Sequence, residues 1–157
     1  MTDRRPPDEL VLSDAGAKLI ADREGLETTA YLDSRGILTI GIGHTSAAGA
    51  PRVHEGMTIT EDEARRIFRN DSVNFRQECL DLVRVPLHQH EFDALASFIF
   101  NLGSTQFAGS TALKRLNAGD YEGCAEAMLW WCKPAEIMSR RRGEHQQFLN
   151  LAHVARA

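Results

Sequence analysis

An α+β fold dominated by helix is predicted by three features of the sequence. There is one β-prone run early in the chain, Ile37 to Ile42, set among glycines; one long stretch of 3.6-residue apolar period opening at Thr60; and a series of helix-like segments after Pro86. With 157 residues, 43% of them hydrophobic, the chain can bury a core as a single domain or as two closely packed lobes.

Residues 1–12 read as a polar lead-in, and a structured domain is expected over 13–157. Ser13 is placed to cap a first helix whose inward stripe is Ala17, Ile20 and Glu24, and Gly25 supplies its stop. From Tyr31 to His44 the pattern is that of a hairpin. Asp33, Ser34, Arg35 and Gly36 form the turn, and the run to Ile42 forms the returning strand. Side chains alternate along a strand, so Leu38, Ile40 and Ile42 point one way and Thr39, Gly41 and Gly43 the other. The second face is nearly bare, which either lets a ligand approach the backbone or marks a bulge or close packing.

Residues 45–59, with Gly49, Pro51 and Gly56, form a loop that ends in the Thr60 and Glu63 capping-box pattern. The period that follows, through Ala64, Ile67, Phe68, Phe75, Cys79 and Leu82, predicts a helix to about Val83. After Pro86, helices are expected in HEFDALASFIFNLG, STALKRLNAG, YEGCAEAMLWWC and PAEIMSRRRGEHQQFLNLA. The resulting plan is an N-terminal lobe over about 13–59, a connecting helix over about 60–83, and a C-terminal helical lobe over about 86–157.

Charge and cysteine usage narrow the function. Lys and Arg total 18 against 22 Asp and Glu, a net charge of −4 that excludes a general nucleic-acid binder. Cys79, Cys124 and Cys132 lack paired metal-ligand spacing and sit among apolar neighbours, so reduced, buried thiols are expected, with no metal and no cofactor. The segment MTDRRPPDEL has no apolar run resembling a secretory signal or membrane anchor, so the protein is expected to begin in the cytoplasm.

Glu24 and Asp33 are the candidate pair for carboxylate chemistry. Glycoside hydrolysis needs one protonated carboxyl to serve the leaving oxygen and one ionised carboxylate to serve water. Glu24, at a helix C-terminus beside an apolar stripe, is in surroundings that favour the neutral form, whereas a polar turn favours ionised Asp33. Thr39, on the open hairpin face, is positioned to hold a water against Asp33. The same spacing also suits a turn-forming Asp33, a β-branched strand residue at Thr39 and a locally paired Glu24.

The stretch EGLETTAYLDSRGILTIGIGHT resembles the signature of the phage-type lysozymes, the endolysins of glycoside hydrolase family 24. Its pattern E-x8-D-x5-T places Glu24, Asp33 and Thr39 on the family's catalytic positions. GIGHT at 41–45, MTITEDEA at 57–64, FDALASFIFNLG at 92–103 and GSTALKRLNAGD at 109–120 follow in family order. The resemblance implies a lysozyme-like fold and cleavage of the bond between N-acetylmuramic acid and N-acetylglucosamine in bacterial peptidoglycan. In that mechanism the Glu protonates the leaving oxygen and the Asp and Thr position water for inversion.

It further implies that His44 is a structural histidine paired with an acid of the long helix. Thr45, Phe100, Asn101 and Ser110 are expected as substrate contacts, and Arg140 or Arg141 as a residue that tunes Glu24. KPAEIMS at 133–139 departs from the family's glycine-rich stretch before those arginines. Successive helical residues lie about 100° apart, so Arg140, Arg141 and Arg142 cannot all face one site. With neither a signal nor an anchor read in the sequence, the protein, expected to be a monomer, would stay in the host cytoplasm until a membrane pore made by another protein, a holin, lets it reach the wall.

Three other readings fit parts of the sequence. A lytic transglycosylase would need the acid but no water-positioning pair, and a non-catalytic wall-binding virion module would need neither; chitin is a conceivable secondary substrate. Lys133 and the arginines at 140, 141, 142 and 156 outnumber Glu136 and Glu144, so the C-terminal helix has the charge for contact with anionic membrane lipid. The alternative is a solvated face packed through Ile137, Phe148, Leu149 and Leu151.

Overall fold

The computed structural model describes residues 3–133 and 135–150. The described chain contains α1 (Asp14–Glu24), β1 (Glu27–Leu32), β2 (Leu38–Gly41), β3 (His44–Thr45) and α2 (Glu61–Leu82). It continues with α3 (Gln89–Leu102), α4 (Ser104–Ala108), α5 (Thr111–Asn117), α6 (Tyr121–Met128) and α7 (Met138–Leu149). It divides into two compact units, Lys18–Asn74 and the described residues of Met1–Ala17 with Phe75–Ala157. The division passes through α1 and through α2.

In the unit Lys18–Asn74 the strands form one antiparallel sheet in the order β1-β2-β3. Tyr31 pairs with Thr39 and Leu32 with Leu38, and then Thr39 with Thr45 and Ile40 with His44. The returning strand stops at Gly41, one residue short of the expected end. Gly41 and Gly43 take φ of +66° and +65°, a conformation that reverses the chain into β3 and that L side chains rarely adopt. At Gly41 the bare face is covered: a Cβ there would lie 3.4 Å from the Ala64 Cβ and 3.5 Å from the Ile59 Cδ1. Of the two meanings open to these glycines, close packing is the one realised at Gly41.

The loop after β3 returns along β1, where Ala30 N donates to Met57 O at 2.9 Å and Ile59 N to Thr28 O at 2.8 Å. Thr60 then starts α2 with reciprocal bonds. Glu63 N donates to Thr60 Oγ1 at 3.1 Å, and Thr60 N to Glu63 Oε1 at 3.4 Å.

The helical unit is built around α3. Nine consecutive residues, Glu91 to Ile99, are buried, as befits a helix packed on all sides. Phe92, Leu95, Phe98, Phe107, Leu116 and Phe148 are part of its core. The segment before Ser13 is polar as expected but is not a mere lead-in. Leu10 is buried in this core, Arg5 and Leu87 exchange backbone hydrogen bonds, and Arg4 forms a fork to Glu91 at 2.9 and 3.0 Å. Ser13 caps α1 by accepting from Gly16 N at 3.0 Å, and its hydroxyl donates to Asp93.

Two helical features differ from expectation. The five-residue α4 fills the space between Gly103 and Gly109, too short to show a period in sequence. And α6 ends at Met128, because Trp130 N and Trp131 N bond the carbonyls three residues back, which tightens the last turn. Pro134, with which the last expected helix opens, and Leu151 and Arg156, expected in packing and in the basic charge of that helix, lie outside the described residues.

Candidate active site

Glu24 is the last residue of α1 and is half-buried. Gly25 N bonds Ala21 O at 2.7 Å and Gly25 takes φ +78°, so the backbone turns away directly after the carboxyl-bearing residue. Asp33 opens the β1–β2 turn. Its amide donates to Ile37 O and its carbonyl accepts from Gly36 N, each at 2.9 Å. Its Oδ1 also accepts from Arg35 N at 2.8 Å and Ile37 N at 2.9 Å. The turn therefore orients the carboxylate through one oxygen, and Oδ2 takes no part in it.

Thr39 is only 3% exposed, which corrects the expectation of a hydroxyl on an open strand face. Its Oγ1 donates to Ile37 O at 2.9 Å. Ile37 thus links the two side chains, with its amide on Asp33 Oδ1 and its carbonyl on Thr39 Oγ1. Since the Thr39 proton is used within the hairpin, the hydroxyl presents acceptor lone pairs to any further partner.

Tyr31, which sequence reasoning passed over, faces Thr39 across the ladder and is half-buried. Burial, and then the carboxylates of Glu24, Glu27 and Asp33, push its phenol above the ordinary 10.0. Glu24 and Asp33 both act on this one ring. Its alternation with Asp33, two residues on, was the available signal.

His44 is fully buried and ties β3 to α2. Its Nδ1 lies 2.8 Å from Asp71 Oδ2, and its Nε2 lies 2.8 Å from Pro51 O. The carbonyl can only accept, so Nε2 carries a proton and Nδ1 is the atom that shares one with Asp71. Burial raises the Asp71 carboxyl above 3.8, and the hydrogen bond and charge of His44 oppose that rise. Thr45, half-buried, sits beside this pair and opposite Thr39.

In the helical unit, the expected sugar contacts are largely occupied by the protein. Ser110 caps α5, accepting from Leu113 N at 3.1 Å and donating to Phe107 O at 2.7 Å. Phe100 packs edge-on against Phe75 with centroids 4.5 Å apart. Asn101 Oδ1 accepts from Arg141 at 2.5 Å.

The arginine cluster also has partners of its own. Arg141 is buried, donates to Trp131 O at 2.5 Å and pairs with the fully buried Glu144. Arg140 donates to Glu144 Oε2 at 3.1 Å and Ser97 O at 3.0 Å, and Ser97 Oγ donates to Glu144 at 2.6 Å. Arg142 is exposed. Glu144 is thus the centre of a network that the sequence reading did not assign. Its spacing of three and four residues from Arg141 and Arg140 was the local signal for it.

Among the described residues no group of three His, Cys, Asp or Glu side chains stands together as a metal site. Burial pushes the Cys79 and Cys124 thiols up to about 12, and both are buried as expected. Cys132 is only half-buried, because α6 ends before it.

The family model described as phage lysozyme matches residues 21–145. The endolysin of Salmonella phage P22 is 42% identical over 143 residues, spanning 88% of this chain and 98% of that protein. The solved endolysin of Escherichia coli O157:H7 phage FAHEc1 is 40% identical with a TM-score of 0.82, covering 89% of this chain and 94% of its own. The muramidase domain of SpmX from Asticaccaulis excentricus is 34% identical with a TM-score of 0.81, covering 89% and 98%.

A predominantly helical chain with one small antiparallel sheet, and with carboxyls at the end of its first helix and at its hairpin turn, has the make-up of a lysozyme-type glycoside hydrolase. The chain belongs to the phage lysozyme family, and its curated relatives are endolysins.

Proposed function

We propose that this chain hydrolyses the β-1,4 bond between N-acetylmuramic acid and N-acetylglucosamine in peptidoglycan, with inversion, using Glu24 as acid and Asp33 as base. The observation that carries this reading is the Asp33–Ile37–Thr39 linkage. One turn orients the carboxylate and also commits the Thr39 proton inward. A water between Asp33 Oδ2 and Thr39 Oγ1 then meets two acceptors and directs its own lone pair outward.

As that oxygen bonds the anomeric carbon, Asp33 takes one proton. Glu24 gives its proton to the departing glycosidic oxygen, and exchange with solvent restores both groups. Thr45, beside Thr39 in the ladder, is assigned to the sugar on this side. Phe100 and Asn101 are assigned to the polymer through their exposed edges, whereas the capping bonds of Ser110 leave it a structural role.

A membrane-disrupting role for the C-terminal helix is disfavoured by α7 itself, since Arg141 is buried and Arg140 is paired within the protein. No described helix is long and apolar enough to cross a membrane. Passage of a monomer from the cytoplasm to the wall through a holin lesion completes the proposal.

The test is the anomeric configuration of the first product, read by NMR before mutarotation, for wild type and Asp33→Asn. The α-anomer from the wild type, with loss of at least about 100-fold in the variant, is expected. A retained β-anomer or a 1,6-anhydro product overturns the mechanism, the latter in favour of a transglycosylase. A protein that binds the wall and cleaves nothing is a binding module.

A further inference from the structure

The β1–β2 ladder brings a fourth polar group to the candidate site. Directly opposed residues of an antiparallel pair have side chains on the same face, so the Tyr31 ring lies beside the Thr39 side chain. Asp33 follows two residues later, with the ladder continued by its bond to Ile37 O, and so returns to the side that Tyr31 occupies. The ring is half-buried, leaving part of it open to a ligand.

We propose that Tyr31 is a positioning residue for the reaction, donating its hydroxyl hydrogen to an oxygen of the sugar at the cleaved bond. That bond holds the sugar between Glu24 and the Asp33–Thr39 pair.

The chemistry favours a donor here. Burial, and then the carboxylates of Glu24, Glu27 and Asp33, raise the phenol above its ordinary 10.0 and so favour its protonated, donating form. The ionised base offers acceptors, and Thr39 has its proton committed to Ile37 O, so neither supplies a neutral hydrogen to a sugar hydroxyl or acetamido oxygen. A phenol does, without the charge that would disturb two carboxyls of different protonation. The ring also offers an apolar edge to the sugar, as aromatic side chains with a polar tip commonly do.

The inference rests on the proposed hydrolysis, and its test separates the two. Wild type, Glu24→Gln, Tyr31→Phe and a variant with p-aminophenylalanine at position 31 are assayed on soluble uncrosslinked peptidoglycan chains, with thermal unfolding recorded for each. If Glu24→Gln keeps full activity, the hydrolytic reading fails, whatever Tyr31 does.

If Glu24→Gln is inactive, Tyr31→Phe is expected to unfold within a few degrees of wild type and to lose about tenfold in kcat with KM changed less than about twofold. The p-amino side chain restores the donor and is expected to recover kcat to within about threefold. A Phe variant with wild-type kcat overturns the proposal. So does a p-amino variant no better than Phe, which would mark the hydroxyl as a packing group.

Discussion

Glu144 shows how much one buried carboxylate can organise. Arg140, Arg141 and Ser97 converge on it, and Arg141 reaches on to Asn101 and the Trp131 carbonyl. Glu144→Ala would remove the carboxylate on which Arg140 and the buried Arg141 converge. Urea unfolding should register a loss of about 3–5 kcal/mol, and a loss under about 1 kcal/mol would contradict the network.

The thiols give an independent probe of the core. With Cys79 and Cys124 raised from 9.0 to about 12, the thiolate form stays suppressed as the pH rises through 9 and 10. A thiol reagent at pH 9 should therefore label Cys132 alone in the native protein and all three in denaturant. Labelling of Cys79 under native conditions would contradict its burial.

Residues whose meaning is local were legible in the sequence. Ser13 and Thr60 are caps, and Asp33 is a turn former, because side chain and backbone meet within four residues. Glu24 and Asp33 stood out through the family pattern. Tyr31, Ser97 and Asp71 did not, because their roles arise from pairing across a ladder or between elements distant in sequence.

At the scale of elements, glycines decide where strands and helices turn, and two of them separate backbone cost from packing cost. Gly36 closes the Asp33 turn at φ +77° with nothing within 4 Å of a would-be Cβ. Gly36→Ala should therefore cost only the left-handed penalty of about 1–2 kcal/mol. Gly16 has ordinary helical backbone, but its Cβ would stand 2.5 Å from Asp93 Cγ. Gly16→Ala must displace the carboxylate that binds Ser13, and a loss of about 1–3 kcal/mol is expected despite the better helix propensity of alanine. Thermal unfolding of both variants checks the pair, and a stabilised Gly16→Ala would contradict the close packing.

The long α2 and the central α3 were readable because their periods run for several turns. The turn at Gly41 and Gly43 was not, because Ile42 is buried whether it lies in a strand or a turn, and a hydrophobic pattern cannot tell the two apart. Helix α4 was missed because five residues make too little period to read.

At the scale of the whole molecule, each unit ties its elements together through a buried polar cluster. His44–Asp71 holds β3 to α2 in one, and the Glu144 network joins α7 to α3 in the other. Asp71→Ala, which takes away the side chain facing the buried His44 Nδ1, should lower stability by about 1–3 kcal/mol in denaturant, and unchanged stability would contradict the pairing.

The catalytic claim needs Glu24 as its acid, the last residue of α1, whose carboxyl acts with that of Asp33 on the Tyr31 ring. The most direct test is digestion of purified peptidoglycan by wild type and Glu24→Gln, with the released sugar ends identified by mass spectrometry. Reducing N-acetylmuramic acid ends from the wild type, and at least about 100-fold less product from the variant, are predicted. Equal activity of the two proteins would show that Glu24 is not the acid.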